Sequence, residues 1–234
     1  MPQRYFVDQL NHEIVGQDAH HILHVMRMKT NDEIIVCHNK TCFLAFLKIE
    51  QQHVFYEIIK ELPEKWFPHV TIIQGMPKGS KTEFITKYAT IFGVSHIIFT
   101  EMNRSIAKIE NEDHKIKRLK AIAKEASELA HRQDIPDISM TKNLMHLDFK
   151  IYDLVLLADE NCKDVMIPDA CKHISSHQKI AVIIGPEGGI SEKERTELIS
   201  LGVTPISLGE LIYPTEAACL HVLSYFTLKK SKNF

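Results

Sequence analysis

Near the C-terminal end of the chain, the apolar run Lys179-Ile180-Ala181-Val182-Ile183-Ile184 breaks into Gly185-Pro186-Glu187-Gly188-Gly189, and Ser191-Glu192-Lys193-Glu194 then opens a helical pattern. A second turn, Ser207-Leu208-Gly209, runs through Leu211-Ile212-Tyr213-Pro214 into Thr215-Glu216-Ala217-Ala218. Strand, glycine turn and capped helix are the parts from which α/β proteins build ligand loops at strand ends. Neither loop is a phosphate cradle. Gly75-Met76-Pro77-Lys78-Gly79-Ser80-Lys81 comes nearest to a Walker loop, but it is one residue short, inverts serine and lysine, and loses an amide at Pro77. A dinucleotide fingerprint belongs in the first βα turn, and Glu187 would repel a pyrophosphate. A glutamate among glycines suits a ligand with hydroxyl and ammonium groups instead. Glycines let the backbone approach, its amides and carbonyls become partners, and the carboxylate attracts a cation. S-adenosylmethionine, with adenine, ribose hydroxyls, an ammonium and a sulfonium, fits that description. The plain alternative is a tight βα connection with Glu187 in solvent.

The elements that must position these loops are readable from periodicity. From His69 onward, strands and helices alternate. Strands are expected at His69–Gln74, Val94–Thr100, Asp153–Ala158, Lys179–Ile184 and Thr204–Leu208. Helices are expected over Phe84–Phe92, stopped by Gly93, then Ile116–Ala130, Val165–Ile174, Glu192–Leu201 and Thr215–Lys229. Ser191 and Glu194 have the spacing of a capping box, and Thr215 is placed to cap the last helix. Repeated βα units predict a mainly parallel sheet with helices on both faces and ligands outside the carboxyl ends of the strands. Before Glu61-Leu62-Pro63-Glu64-Lys65-Trp66-Phe67-Pro68 the character is different. Short β runs at Glu33–Cys37, Phe43–Ile49 and Val54–Ile59, with a hairpin turn at His38–Thr41 and a helical turn or two over His20–Met26, predict a small β-barrel or sandwich. The expected division is residues 1–67 and 68–234.

Composition sets mild bounds. The chain has 234 residues, 44% of them hydrophobic, enough for one large or two modest cores, and its formal charge is −2. A polyanion would therefore meet a local patch rather than a global field. Arg4, His24, Arg27 and Lys29 are the candidate RNA-facing patch of the first domain. Arg104, Lys108, Lys115, Lys117 and Arg118 interleave with Glu110, Glu112 and Asp113 and read as a solvated mixed face. Five irregularly spaced cysteines without a C-x-x-C pair point to reduced thiols in a cytoplasmic protein. No signal h-region and no membrane-length apolar run is present, and the 14 histidines form no recurring metal-ligand pattern. The Lys229–Lys232 tail reads as a solvated helix end.

The glycine–glutamate loop together with Leu208-Gly209 and Thr215-Glu216-Ala217-Ala218 resembles the methyltransferases of the SPOUT superfamily, and more narrowly the RsmE family. The resemblance runs nearly end to end. His24-Val25-Met26-Arg27 with Asn31-Asp32 is similar to the opening of that family's PUA-like domain. Lys78-Gly79-Ser80-Lys81-Thr82-Glu83, Lys87 and Phe92-Gly93-Val94 are similar to its first methyltransferase helix. Glu125-Ala126-Ser127-Glu128, Arg132 and Pro136 are similar to its central helix and the loop after it. The resemblance implies an α/β, SPOUT-type parallel sheet with a C-terminal trefoil knot, preceded by a small PUA-like β-barrel that binds RNA. It implies a homodimer, without metal or membrane, that uses S-adenosylmethionine to methylate N3 of a uridine in 16S ribosomal RNA of the small subunit. It places Leu157, Ala158, Ile184, Gly185, Pro186, Glu187, Gly188, Leu208, Gly209, Ile212, Thr215 and Ala217 around the cofactor, with Arg132 and Glu216 as catalytic candidates. Family members usually carry Arg-Ile-Leu-Arg where this chain has Leu211-Ile212-Tyr213-Pro214, so both arginines are absent. Two hypotheses stand: an active uridine-N3 methyltransferase, or a catalytically inactive or retargeted SPOUT-like RNA-binding protein.

Overall fold

A computed structural model describes residues 2–64, 68–173, 175 and 178–228. These residues fall into two compact units. One comprises the described residues up to 64 together with Ser127–Ile135; the other comprises the rest. Lys65-Trp66-Phe67, Ile174 and the Lys229–Lys232 tail, on which sequence expectations fell, lie outside the described residues in whole or at their ends.

The first unit is a five-stranded sheet. Its elements are β1 (Gln3–Phe6), β2 (Glu13–Ile14), α1 (Gly16–His20) continuing as a π-turn over His21–Val25, β3 (Glu33–His38), β4 (Thr41–Glu50) and β5 (His53–Glu61). Strand order is β1-β3-β4-β5-β2, and only the β1–β3 pairing is parallel. Asn39 and Lys40 make the β3–β4 turn with φ of 47° and 68°, the left-handed conformations that a two-residue hairpin demands. Tyr5, Ile34, Val36, Ala45, Leu47, Val54 and Tyr56 pack with Ile22 in one core. Cys37 and Cys42, directly paired across β3 and β4, are joined by a disulfide, which corrects the expectation of five reduced thiols. Irregular spacing along the chain hid a pair that hairpin register brings together.

The second unit is a six-stranded, wholly parallel sheet. Its strands are β6 (His69–Gly75), β7 (His96–Thr100), β8 (Asp137–Thr141), β9 (Leu154–Ala158), β10 (Lys179–Ile184) and β11 (Thr204–Ile206), in the order β11-β9-β10-β6-β7-β8. Its helices are α2 (Lys81–Ile91), α3 (Glu112–Leu129), whose last residues group with the first unit, α4 (Ile167–Ala170), α5 (Glu192–Ser200) and α6 (Thr215–Leu228). β10 reads as an unbroken apolar run because both of its faces are covered. Ile180, Val182 and Ile184 join the core with Ile85 and Ala89 of α2 and Cys219, Val222 and Phe226 of α6. Ala181 and Ile183 join the opposite core with Leu198 of α5. β8, missed in the sequence, is an edge strand whose Ile138 and Met140 alone are buried. The weak helix expected over 165–174 shrinks to α4. Among the described residues, no helix is long and apolar enough to cross a membrane.

Candidate functional site

The loops following β9, β10 and β11 all leave the carboxyl edge of the sheet and enclose a cavity of about 440 Å³. Such a volume accommodates a ligand of nucleoside size. Ala158 lines it from the first loop; Ile184, Gly185, Pro186, Glu187 and Gly188 from the second; Leu208, Gly209, Ile212 and Thr215 from the third. Two expected residues stand apart. Strand alternation turns Leu157 into the α5-side core, and Ala218 rather than Ala217 lines the cavity from α6. Asp159, Lys163, Ser207, Glu210 and Tyr213 also line it. Ser207, Glu210 and Tyr213 stand in the second turn read from the sequence; Asp159 and Lys163 carry no motif, only a position past the end of β9.

Hydrogen bonds fix the three loops to the framework. Asp159 is buried and accepts from Arg195 Nε of α5 at 2.6 Å and from the Asn161 amide at 2.9 Å. Ser207 Oγ accepts the Gly209 amide at 3.2 Å, and Gly209 has φ 108°, a conformation that excludes side chains with a Cβ. The capping box of α5 forms as expected: Ser191 Oγ accepts from the Glu194 amide, and Glu194 Oε2 accepts from the Ser191 amide. Thr215 does not cap α6, since it is already the helix's first residue. Its hydroxyl donates to the Gly185 carbonyl at 2.6 Å and accepts Gln74 Nε2 at 2.7 Å, tying the end of β6, the glycine loop and the start of α6 at one buried point.

The glycines are where the backbone must come close. A Cβ on Gly188 would lie 2.9 Å from Arg104 Cβ, and Arg104 donates to the Gly188 carbonyl at 3.1 Å. A Cβ on Gly75, at the end of β6, would lie 2.6 Å from the ring of Pro186.

Glu187 is not a free carboxylate awaiting a cation, as the sequence reading had it. Its Oε1 accepts the Lys78 amide at 3.0 Å and pairs with Lys81 Nζ at 3.2 Å. Partial burial pushes this carboxyl up, but amide hydrogen bonds and the Lys81 ammonium outweigh that, and the net shift is downward. Lys81 also reaches Glu216 Oε2 at 2.9 Å, and that hydrogen bond is the main reason its own pKa is raised.

The remaining candidates belong to the first unit. Arg132 is almost wholly buried, and its Nε and a terminal nitrogen donate to Asp134 Oδ1 at 3.2 and 2.9 Å. Arg4, expected on a basic surface, is buried instead, donating to the backbone carbonyls of His131 and Arg132. His24, Arg27 and Lys29 are exposed, with the His20 and His24 rings 4.7 Å apart.

The chain matches the family model of the RNA methyltransferase domain over residues 64–227 and that of the RNA methyltransferase PUA domain over residues 14–51. It is 31% identical to ribosomal RNA small subunit methyltransferase E of Bacillus subtilis, over 95% of this chain and 94% of that one. The chain belongs to the RsmE family. A further member, ribosomal RNA small subunit methyltransferase E 2 of Borreliella burgdorferi, is 26% identical over 91% of this chain and 90% of its own. The fold is shared with a crystal structure of ribosomal RNA small subunit methyltransferase E from Neisseria gonorrhoeae bound to S-adenosyl methionine. The TM-score is 0.80 at 21% identity, with 96% of each chain covered. Within the RsmE pattern, the Leu211–Pro214 departure falls on the cavity wall, where Leu211 and Ile212 are 72% and 88% exposed.

Proposed function

We propose that this protein is an S-adenosylmethionine-dependent methyltransferase that methylates N3 of a uridine in 16S ribosomal RNA of the small subunit, acting as a cytoplasmic homodimer. The observation that carries the reading is the convergence of the β9, β10 and β11 loops on one cavity. The residues there suit the donor: a Cβ on Gly188 would stand 2.9 Å from Arg104 Cβ and one on Gly185 3.0 Å from the Gly189 backbone, so the loop stays bare and its main-chain groups are left to meet adenine and ribose. Within this reading, residues 68–234 form the methyltransferase domain and residues 1–67 the PUA-like RNA-binding domain. His24, Arg27 and Lys29 make up the exposed basic patch, and Arg4 supports the segment around Arg132 from below. The bond from Thr215 to the Gly185 carbonyl supports a C-terminal trefoil knot, because it places the start of α6 against the loop of β10.

The donor supplies an electrophilic methyl group on a sulfonium. Uridine N3 becomes nucleophilic only on losing its proton, since its electron pair is otherwise shared with two carbonyls. By the family resemblance alone, Arg132 is the proposed partner of the uracil oxygen on which the resulting negative charge settles; in this structure its guanidinium is buried and paired with Asp134. Glu216, in the first turn of α6 and paired with Lys81, is the second catalytic candidate; the cavity wall itself carries Asp159, Glu160, Glu187 and Glu210. The protein's chief contribution is to align donor and acceptor, and the base must be unpaired or flipped to expose N3. The missing arginines favour a second reading, a family member that binds the donor but has another RNA target or none. Mapping modified uridines by primer-extension arrest, in a strain lacking the gene against its parent, separates the two. Loss of one stop in 16S RNA supports the first reading; an unchanged pattern supports the second.

A further inference from the structure

Three distant stretches of chain meet on the Lys81 ammonium. Lys81 opens α2, Glu187 lies in the loop after β10, and Glu216 lies in the first turn of α6. Nζ stands 3.2 Å from Glu187 Oε1 and 2.9 Å from Glu216 Oε2, with the three side chains 33%, 27% and 24% exposed. Isolated surface pairs contribute little, but one cation shared by two carboxylates also relieves their mutual repulsion. Other groups facing the trio leave its charge unchanged. Lys78 offers Glu187 its backbone amide, and Glu83, on the same helix, is paired with Arg118 of α3. Cys219 of α6 turns its thiol to the Glu216 carbonyl; burial, with a contribution from Glu216, pushes that thiol up to about 12, so it stays neutral. The raised pKa of Lys81 makes it a fixed cation rather than a proton carrier at neutral pH.

We infer that Lys81 is a positioning residue of the methyl-transfer site. It clamps the Gly185–Gly189 loop to the start of α6 and offsets one of the two negative charges of Glu187 and Glu216. The inference rests on the methyl-donor reading of the cavity. It differs from a merely structural role in what it does to the carboxyls. Without the ammonium, the Glu187 carboxylate loses one of the contacts that hold it below the ordinary carboxylate range, and it titrates higher.

The test compares wild type with Lys81→Met, Lys81→Arg and the charge-balanced double variant Lys81→Met/Glu216→Gln. A carboxyl NMR titration of Glu187, calorimetry with S-adenosylmethionine, and kcat/KM against pH on small-subunit RNA are read for each. Lys81→Met is expected to raise the Glu187 titration and the acid limb of kcat/KM together by about one unit, and, because the loop is no longer clamped, to weaken donor binding about tenfold at neutral pH. Lys81→Arg restores all three, and the double variant restores stability alone, because the repulsion between the two carboxylates is relieved while the clamp stays broken. A Lys81→Met enzyme whose Glu187 titration and pH profile coincide with wild type, or whose loss is the same factor at every pH, overturns the inference. If Lys81→Met does not fold, the double variant decides: relieved repulsion must restore folding, and Glu187, with no ammonium beside it, must still titrate above its wild-type value. A wild type that binds no donor overturns the methyl-donor reading itself, while the titration still decides whether Lys81 governs Glu187.

Discussion

Gly75→Ala is the sharpest perturbation of the cavity that leaves every lining residue in place. Gly75 ends β6, and a Cβ there would stand 2.6 Å from Cδ and N of Pro186 and 2.9 Å from the Met102 sulfur. Met102 can move its flexible end, but Pro186 is a rigid ring in the second loop. Ordinary contact begins at 3.4 Å, so the loop must retreat by about 0.8 Å. Overpacking of this kind costs about 1–3 kcal/mol. If strain falls on the loop, the donor site opens by most of that distance, and misplacement approaching 1 Å costs about a hundredfold in a positioned reaction. Donor affinity by calorimetry is therefore expected to weaken by about tenfold or more, with Tm falling by a few degrees, as a cost of this size dictates for a domain of about 150 residues. The variant's crystal structure should show the Pro186 loop displaced. Donor affinity within twofold of wild type, with the loop unmoved, would refute the claim that contact between β6 and Pro186 sets the pocket.

Three further outcomes follow from the same geometry. Thr215→Val deprives the Gly185 carbonyl of its donor and Gln74 of its best acceptor at a buried point, and is expected to lower stability by about 1–3 kcal/mol in denaturant titrations. Glu187, held net below its ordinary 4.5, contributes stability that is fully present above that value and is lost as pH falls through the folded pKa. The stability difference between wild type and Glu187→Gln should thus be constant from neutral pH down to about 5 and shrink below about 4; a constant difference down to pH 3 would show the carboxylate to be unpaired. Opening the Cys37–Cys42 disulfide, whose partners are 5 residues apart, should lower stability by about 2 kcal/mol through loop entropy, and native alkylation at pH 8 should label Cys162 before the buried Cys171 and Cys219.

How much of this could be read in the chain divides along physical lines. Elements with strong periodicity or hard punctuation were legible: β10 by its apolar run, α5 by its capping box, and the β3–β4 hairpin by its turn residues. Weakly amphipathic edges were not. β8 shows only two buried apolar positions, and β1 pairs with a strand 31 positions away. The cavity's three loops were legible as strand ends carrying glycines, but the partners of their side chains were not. Glu187 read as free because Lys81 lies over 100 positions earlier, and Thr215 read as a cap because Gln74 and the Gly185 carbonyl reach it only through the fold. Arg4 read as surface by its charge; only the carbonyls of His131 and Arg132 explain how a guanidinium is buried there.

The measurement that bears most directly on the central claim is transfer of labelled methyl from S-adenosylmethionine by the purified protein to small ribosomal subunits that lack the modification. Incorporation into 16S RNA at a uridine, with the label blocking Watson–Crick pairing as N3 methylation must, is the result expected. Donor binding in the cavity with no label in any RNA would contradict it.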